Sequence, residues 1–168
     1  MSPAARSRAR RRSAGLLLYR TPAHKSTVLE VLLVHPGGPL WAKKDLGAWS
    51  IPKGEYDDDE DPLAAARREF MEELGSPPPA QDGAEPIALG EIRQRSGKRV
   101  SAWALAGDFD VSRTASNTFS MEWPPRSGRA HEFPEVDRAE WFRIAEARRR
   151  INPAQAELLD RLVQALTA

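Results

Sequence analysis

The segment DPLAAARREFMEELG, Asp61 to Gly75, constrains the chain most. Asp61 suits a helix N-cap, Pro62 the first helical position and Gly75 the position just past the end. Together they predict a helix over Pro62–Leu74. Successive helical residues turn through ~100°. With Glu69 at zero, Glu73 falls at roughly 40° and Glu72 at roughly −60°, so three carboxylates share one arc. Leu63, Phe70 and Leu74 cluster between roughly 100° and 140° as the core-facing stripe, with Ala65 and Ala66 near the acidic arc. Like charges a turn apart repel. A solvated face, eased by Arg68 beside Glu72, is one explanation. A hard-cation site is the other, because carboxylate oxygens suit Mg²⁺ or Mn²⁺ and such ions are commonly shared with substrate phosphates.

The rest of the chain supplies strands on both sides of this helix. Ala14–Arg20 and Thr27–His35 read as strands, the second dense in Val and Leu and hence buried. TPAHKS is a turn between them, and HPGGPLWAKKDLGAW is a loop. Ser50–Pro52 is a short strand leading into Gly54. After the helix, PPPAQDGAEP is a loop. Ile87–Gln94 and Lys98–Gly107 form a hairpin around Ser96-Gly97. Asn117–Trp123 is a strand, WPPRSGRAHEFP a loop, and Ala139–Ile144 a short strand or turn. Glu146–Ile151 and Ala154–Leu166 are helical, with Asn152-Pro153 restarting the last helix. Strands, helix, strands and helix in that order predict an α+β or mixed α/β fold.

Composition narrows the class. The chain has 168 residues, 40% of them hydrophobic, and a net charge of +1. These values fit one ordinary domain with its own core. There is no cysteine, which excludes disulfides, zinc-thiolate sites and cysteine nucleophiles. No apolar run is long enough for a membrane span, and Ala14–Tyr19 is too short for a signal-peptide core. We expect residues 1–12 to form a basic tail, residues 13–168 a single domain, and the protein to be cytoplasmic. Arg6, Arg8, Arg10, Arg11 and Arg12 offer weak contact to nucleic acid; the alternative is a solubilising tail.

The spacing around the helix is specific. Gly54, five residues, Glu60, seven residues, then Arg68-Glu69-Phe70-Met71-Glu72-Glu73-Leu74-Gly75 resembles the signature box of Nudix hydrolases, G-x5-E-x7-R-E-U-x-E-E-x-G-U, where U is bulky and apolar. Ser76 departs from the final apolar position, a packing position in that family. The resemblance implies an α/β/α sandwich with a mixed central sheet. It also implies a Mg²⁺- or Mn²⁺-dependent pyrophosphohydrolase that cleaves a diphosphate linkage in a nucleoside polyphosphate, a dinucleoside polyphosphate or a modified nucleoside triphosphate. Glu69, Glu72 and Glu73 are the implied metal ligands, with Glu69 also activating water. Glu60 and Arg68 form the implied supporting pair, and Gly54 permits a turn into the loop.

Members of that family often add a carboxylate from a later loop, a few residues before a tryptophan. Glu135, ahead of Trp141, is the candidate fourth ligand or general base, with Asp137, Glu132 and Glu140 as rivals. WSIPKGE is similar to the box entry of polyphosphate-cleaving members, which places Lys53 and Gly54 at a substrate phosphate. His35, Lys43, Lys44, Arg99, Arg126 and Arg129 are further phosphate candidates; otherwise they are surface charges. Trp41, Trp49, Trp103, Trp123, Phe119 and Phe133 include the candidate base-stacking residues; otherwise they belong to the core. PPRSG is a candidate cleft wall. His24, His35 and His131 lack metal-ligand spacing. Two alternatives remain: an RNA 5′-end pyrophosphohydrolase, suggested by the arginine tail and WSIPKGE, and a non-catalytic Nudix-fold ligand sensor.

Overall fold

Two hydrophobic strands lie at the centre of the molecule. The computed structural model describes residues 12–21 and 28–168. In it, β1 (Arg12–Arg20) and β2 (Glu30–Pro36) are buried on both faces. Leu16 and Leu18 of β1 join Leu32 and Val34 of β2 in one core cluster; Leu17, Val31 and Leu33 join the other. Continuous apolar runs of this kind need cover on both sides.

The remaining strands are β3 (Lys53–Glu55), β4 (Ile87–Arg93), β5 (Arg99–Ala106), β6 (Thr118–Glu122), β7 (Ala130–Pro134) and β8 (Val136–Arg143). The main sheet runs β4-β5-β1-β2-β8. It is mixed: β5 lies parallel to β1, and the other pairings are antiparallel. β5 takes one edge of β1 from Arg12 to Tyr19. The other edge is divided between β3 at Ser13–Gly15 and β2 at Tyr19–Arg20. β6 and β7 form a separate two-stranded sheet.

Helix α1 (Pro62–Leu74) covers one face, and α2 (Ile144–Arg150) and α3 (Ala156–Thr167) cover the other. The layers are thus helix, mixed sheet, helices, as the fold expectation has it. The α1 boundaries are the expected ones. Asp61 accepts a hydrogen bond from the Ala64 N–H, and Gly75 closes the helix with φ 88°.

Several elements differ from expectation. Ala130–Pro134 is a strand, not a loop. AHEFP is mostly exposed, so it carries no burial alternation, and pairing with β6 holds it extended. β8 runs from Val136, well before Ala139. Its buried residues Val136, Ala139 and Phe142 do not alternate, and the register of β8 against β2 shifts at His35/Pro36. The short third strand lies at Lys53–Glu55, and Ser50 makes only an isolated bridge with Val34. Arg12, expected in the tail, opens β1. On α1 the buried residues are Ala65, Ala66, Glu69, Phe70 and Leu74, while Leu63 is only half-buried. The core-facing side therefore extends across the alanines to Glu69. His24, most of the TPAHKS turn, and Arg6, Arg8, Arg10 and Arg11 lie outside the described residues. Among the described residues no helix is long and apolar enough to cross a membrane.

Candidate active site

The divided edge of β1 sets the position of α1. Gly54 pairs with Ala14 in the β3 ladder. A Cβ at Gly54 would lie 2.0 Å from Glu69 Oε2. The Glu69 carboxyl group therefore rests directly on the Gly54 backbone. Gly54 is not among the glycines with positive φ, so the expected turn is not its role. It leaves room for a carboxylate.

Glu69 is only 7% exposed. Burial raises its pKa, Glu72 adds to that, and Arg68 opposes it. Glu73 is more extreme. Its Oε2 is buried and has no hydrogen-bond partner among the described residues. Burial pushes its pKa up to about 8, with Lys53 opposing and Glu69 and Glu135 adding.

Arg68 organises the outer part of the site. Its Nε and Nη2 donate to the two Glu60 oxygens at 2.9 and 3.0 Å, a bidentate pair. Its Nη1 donates to Glu69 Oε1 at 2.8 Å and Glu72 Oε1 at 3.1 Å. A weaker bond at 3.3 Å reaches the Glu55 carbonyl. Glu60 is shifted to lower pKa by its bond to Arg68. Lys53 sits in β3, where burial and then Lys98 lower its pKa while Glu73, Glu69 and Glu55 raise it.

Glu135 comes from the junction of β7 and β8, and backbone bonds bring it to α1. The Asn117 N–H donates to the Glu72 carbonyl at 2.8 Å, and the Glu135 N–H donates to the Asn117 carbonyl at 2.8 Å. Ser116 adds a side-chain tie. Its Oγ accepts from the Val136 N–H at 3.1 Å and donates to the Val136 carbonyl at 3.0 Å. Burial and then Glu72 raise the Glu135 pKa, and Glu69 and Glu73 both register its charge. Glu69, Glu72, Glu73 and Glu135 thus form one electrostatic group. Among the described residues no three acidic, cysteine or histidine side chains stand ready-made around an ion. Arg68 holds Glu69 and Glu72 in this arrangement. The rivals of Glu135 are engaged elsewhere: Asp137 with His35, Glu140 beside Arg138, and Glu132 opposite Ser120 in the β6–β7 ladder.

Glu135 also borders an open cleft of about 280 Å³. The other walls are the 36–41 segment, which includes Trp41, and Phe119 and Met121 of β6. Gly38, at φ 92°, lies so close to Phe119 that a Cβ would come within 2.8 Å of its ring. Trp41 and Phe119 are therefore the stacking candidates that line the cleft. Trp49 is fully buried in one core cluster, and Trp103 packs against the other, on the α1 face of the sheet. Phe133 packs behind Phe119 at 6.0 Å between ring centroids. Trp123 and the PPRSG segment are not cleft-lining residues. His35 is not on a loop. It lies in β2 at 1% exposure and faces no open surface. Lys43 and Lys44 are exposed, and the Lys44 ammonium lies 4.8 Å from the Trp41 ring centre. Arg126 and Arg129 are exposed, and Arg99 lies 3.8 Å from Glu91.

Sequence reasoning missed Ser116, Asn117, Met121 and Gln155. Gln155 is fully buried. It accepts from the Ile51 N–H at 3.0 Å and donates to Ser50 Oγ at 3.0 Å, fixing the segment that feeds Lys53. A signal existed: Gln155 heads the apolar stripe of Leu158, Leu159 and Leu162, where a polar residue is out of place.

Comparison with known proteins agrees with this fold. A family model described as the NUDIX domain matches residues 9–162. An RNA pyrophosphohydrolase of Rhizobium meliloti is 28% identical over 159 residues, covering 82% of this chain and 90% of that protein. A C. elegans Ap4A hydrolase binary complex superposes with a TM-score of 0.63 at 21% identity, covering 92% of this chain and 98% of the other. The NUDIX domain of Shewanella oneidensis NrtR complexed with ADP ribose gives 0.63 at 16% identity, covering 99% and 94%.

Proposed function

We propose that this chain, which belongs to the Nudix hydrolase family and is a pyrophosphohydrolase of it, cleaves a diphosphate linkage in a nucleoside polyphosphate with Mg²⁺ or Mn²⁺ as cofactor. One observation carries the substrate reading: Glu135 belongs both to the carboxylate group on α1 and to the aromatic cleft. A polyphosphate lying along the carboxylates would place its base or second nucleoside between Trp41 and Phe119, where stacking is tolerant of base identity. A solved relative is described as an Ap4A hydrolase, which supports a dinucleoside polyphosphate.

The residues fit a hard cation. The buried, unpartnered Glu73 oxygen and the mutual repulsion of four carboxylates are what a divalent ion relieves. Glu69, Glu72, Glu73 and Glu135 would hold it. When bound, the ion supplies Lewis acidity at the phosphoryl oxygens and neutralises charge.

The remaining steps belong to the protein. Water attacks phosphorus, and the anhydride P–O bond breaks with departure of the leaving phosphate. Glu69, whose pKa is raised by burial, accepts the proton of that water. Arg68 orients Glu69, and Glu60 holds Arg68 in place. Lys53 meets a substrate phosphate as a point charge.

A panel of dinucleoside polyphosphates and modified triphosphates tests the reading. With Mg²⁺ or Mn²⁺ in ¹⁸O-labelled water, mass spectrometry of products should give phosphate-containing fragments with the label on one phosphorus. No turnover across the panel would refute it.

The relative described as an RNA pyrophosphohydrolase favours a second reading, 5′-triphosphorylated RNA as substrate. Removing residues 1–11, which spares Arg12 of β1, should then weaken RNA binding and flatten its salt dependence. Equal binding by the truncated chain would exclude any part for the tail.

A further inference from the structure

We propose that His35 is a positioning residue: in contact through both ring nitrogens, it clamps the cleft loop between Gly37 and Asp45 to the strand that follows Glu135. Nδ1 lies 2.8 Å from Asp137 Oδ1, and Nε2 lies 2.6 Å from the Lys44 carbonyl oxygen. A backbone carbonyl only accepts hydrogen bonds, so Nε2 carries a proton and donates to the Lys44 carbonyl. The ring is 1% exposed, and a buried ring nitrogen that loses its partner is unfavourable. Removing the imidazole therefore releases the loop and the strand from each other.

The contacts define what the clamp holds. At the near end of the loop, the Gly37 N–H donates to the Glu135 carbonyl at 2.9 Å. At the far end, the Lys44 carbonyl is tied to His35, and Asp45 accepts from Trp49 Nε1 at 2.8 Å. Between these ties lie Leu40 and Trp41, 56% and 38% exposed, both lining the cleft. The charged groups around the ring are Asp137 and Arg138 on β8 and Lys44 and Asp45 on the loop. Arg138 sits over the Trp49 ring, which itself meets His35 edge-on at 5.2 Å. Glu135 has its own ties through Asn117 and Ser116. His35 thus acts on the cleft wall and not on the carboxylates.

Two measurements need no substrate. In ¹⁵N-labelled wild-type protein, imidazole NMR should show a slowly exchanging Nε2–H for His35, with the other histidines assigned through His24→Gln and His131→Gln. A His35 Nε2–H in fast exchange with water would overturn the proposal. In His35→Gln, amide hydrogen exchange should quicken across residues 38–45 and stay unchanged in α1. Unchanged exchange in the loop, or acceleration spread through α1, would overturn it. A third measurement rests on the substrate reading above. With the dinucleoside polyphosphate that is turned over, His35→Gln should raise KM by ~10-fold and leave kcat within about twofold, the pattern of lost positioning of the bound substrate. A fall in kcat at unchanged KM would overturn the clamp. Absence of turnover would refute the substrate reading while the NMR and exchange results decide the clamp.

Discussion

The box helix and the cleft opposite it are built by different means. α1 is made from local instructions: an aspartate cap, a proline, a closing glycine and an apolar stripe within one segment. The cleft is assembled from three separated stretches, residues 36–41, β6 and Glu135, held by backbone bonds such as Asn117 to Glu72 and Glu135 to Asn117. In the proposed function, the chemistry rests on residues whose spacing is fixed on one helix, joined by Glu135, and substrate choice rests on aromatic residues that meet only in three dimensions. Substitutions in the two regions should therefore fail differently, the first in kcat and the second in KM.

The largest effect is expected at Glu73. Glu73→Gln removes a charge but little volume, and turnover should fall by ~10²–10³-fold, as when a key electrostatic group is lost. Steady-state kinetics on the active substrate checks this, and wild-type turnover would break the division between regions. In the cleft, Trp41→Ala should raise KM by ~10-fold or more, the loss of one stacking partner worth ~1–3 kcal/mol, with kcat nearly constant. A kcat defect as large as that of Glu73→Gln would erase the contrast.

Gly54→Ala should lower both kcat and the thermal midpoint. Its methyl group would overlap the Glu69 carboxyl group, and overpacking commonly costs about 1–3 kcal/mol. Ser116→Ala is milder. Losing its bonds to Val136 should reduce kcat a few-fold through Glu135, readable against Ser127→Ala as a surface control.

These contrasts match what the sequence made legible. Asp61, Gly75, the Glu69/Glu72/Glu73 arc and the hairpin around Ser96-Gly97 depend on neighbours a few residues away. β7 was not legible, because AHEFP is exposed and is a strand only by pairing with β6. The part played by Gly54 was misread for a related reason. Its spacing was evident, but the group that needs the space is Glu69, fifteen residues on, and the contact exists only after α1 packs against β3. Ser116 and Asn117 gave no signal, since their work is done largely by backbone atoms and by one hydroxyl.

A separate effect, on stability and not on turnover, is a pH slope in the metal-free protein. The Glu73 pKa is raised from 4.5 to about 8, so the folded state keeps its proton where the unfolded chain has lost it. Its contribution is fully present below pH 4.5 and is lost as pH rises through about 8. The thermal midpoint should therefore decline across that window, and Glu73→Gln should flatten the decline. A wild-type slope identical to that of the variant would remove Glu73 as its source.

The claim that joins these results is that the acidic arc of α1 is a cation site and not a solvated face. Its most direct test is the thermal midpoint of wild-type and Glu73→Gln protein titrated with Mg²⁺ and Mn²⁺ at neutral pH. Ligand linkage predicts a midpoint that rises with metal concentration in the wild type and a much smaller rise in the variant. A wild-type midpoint indifferent to millimolar amounts of both ions would contradict it.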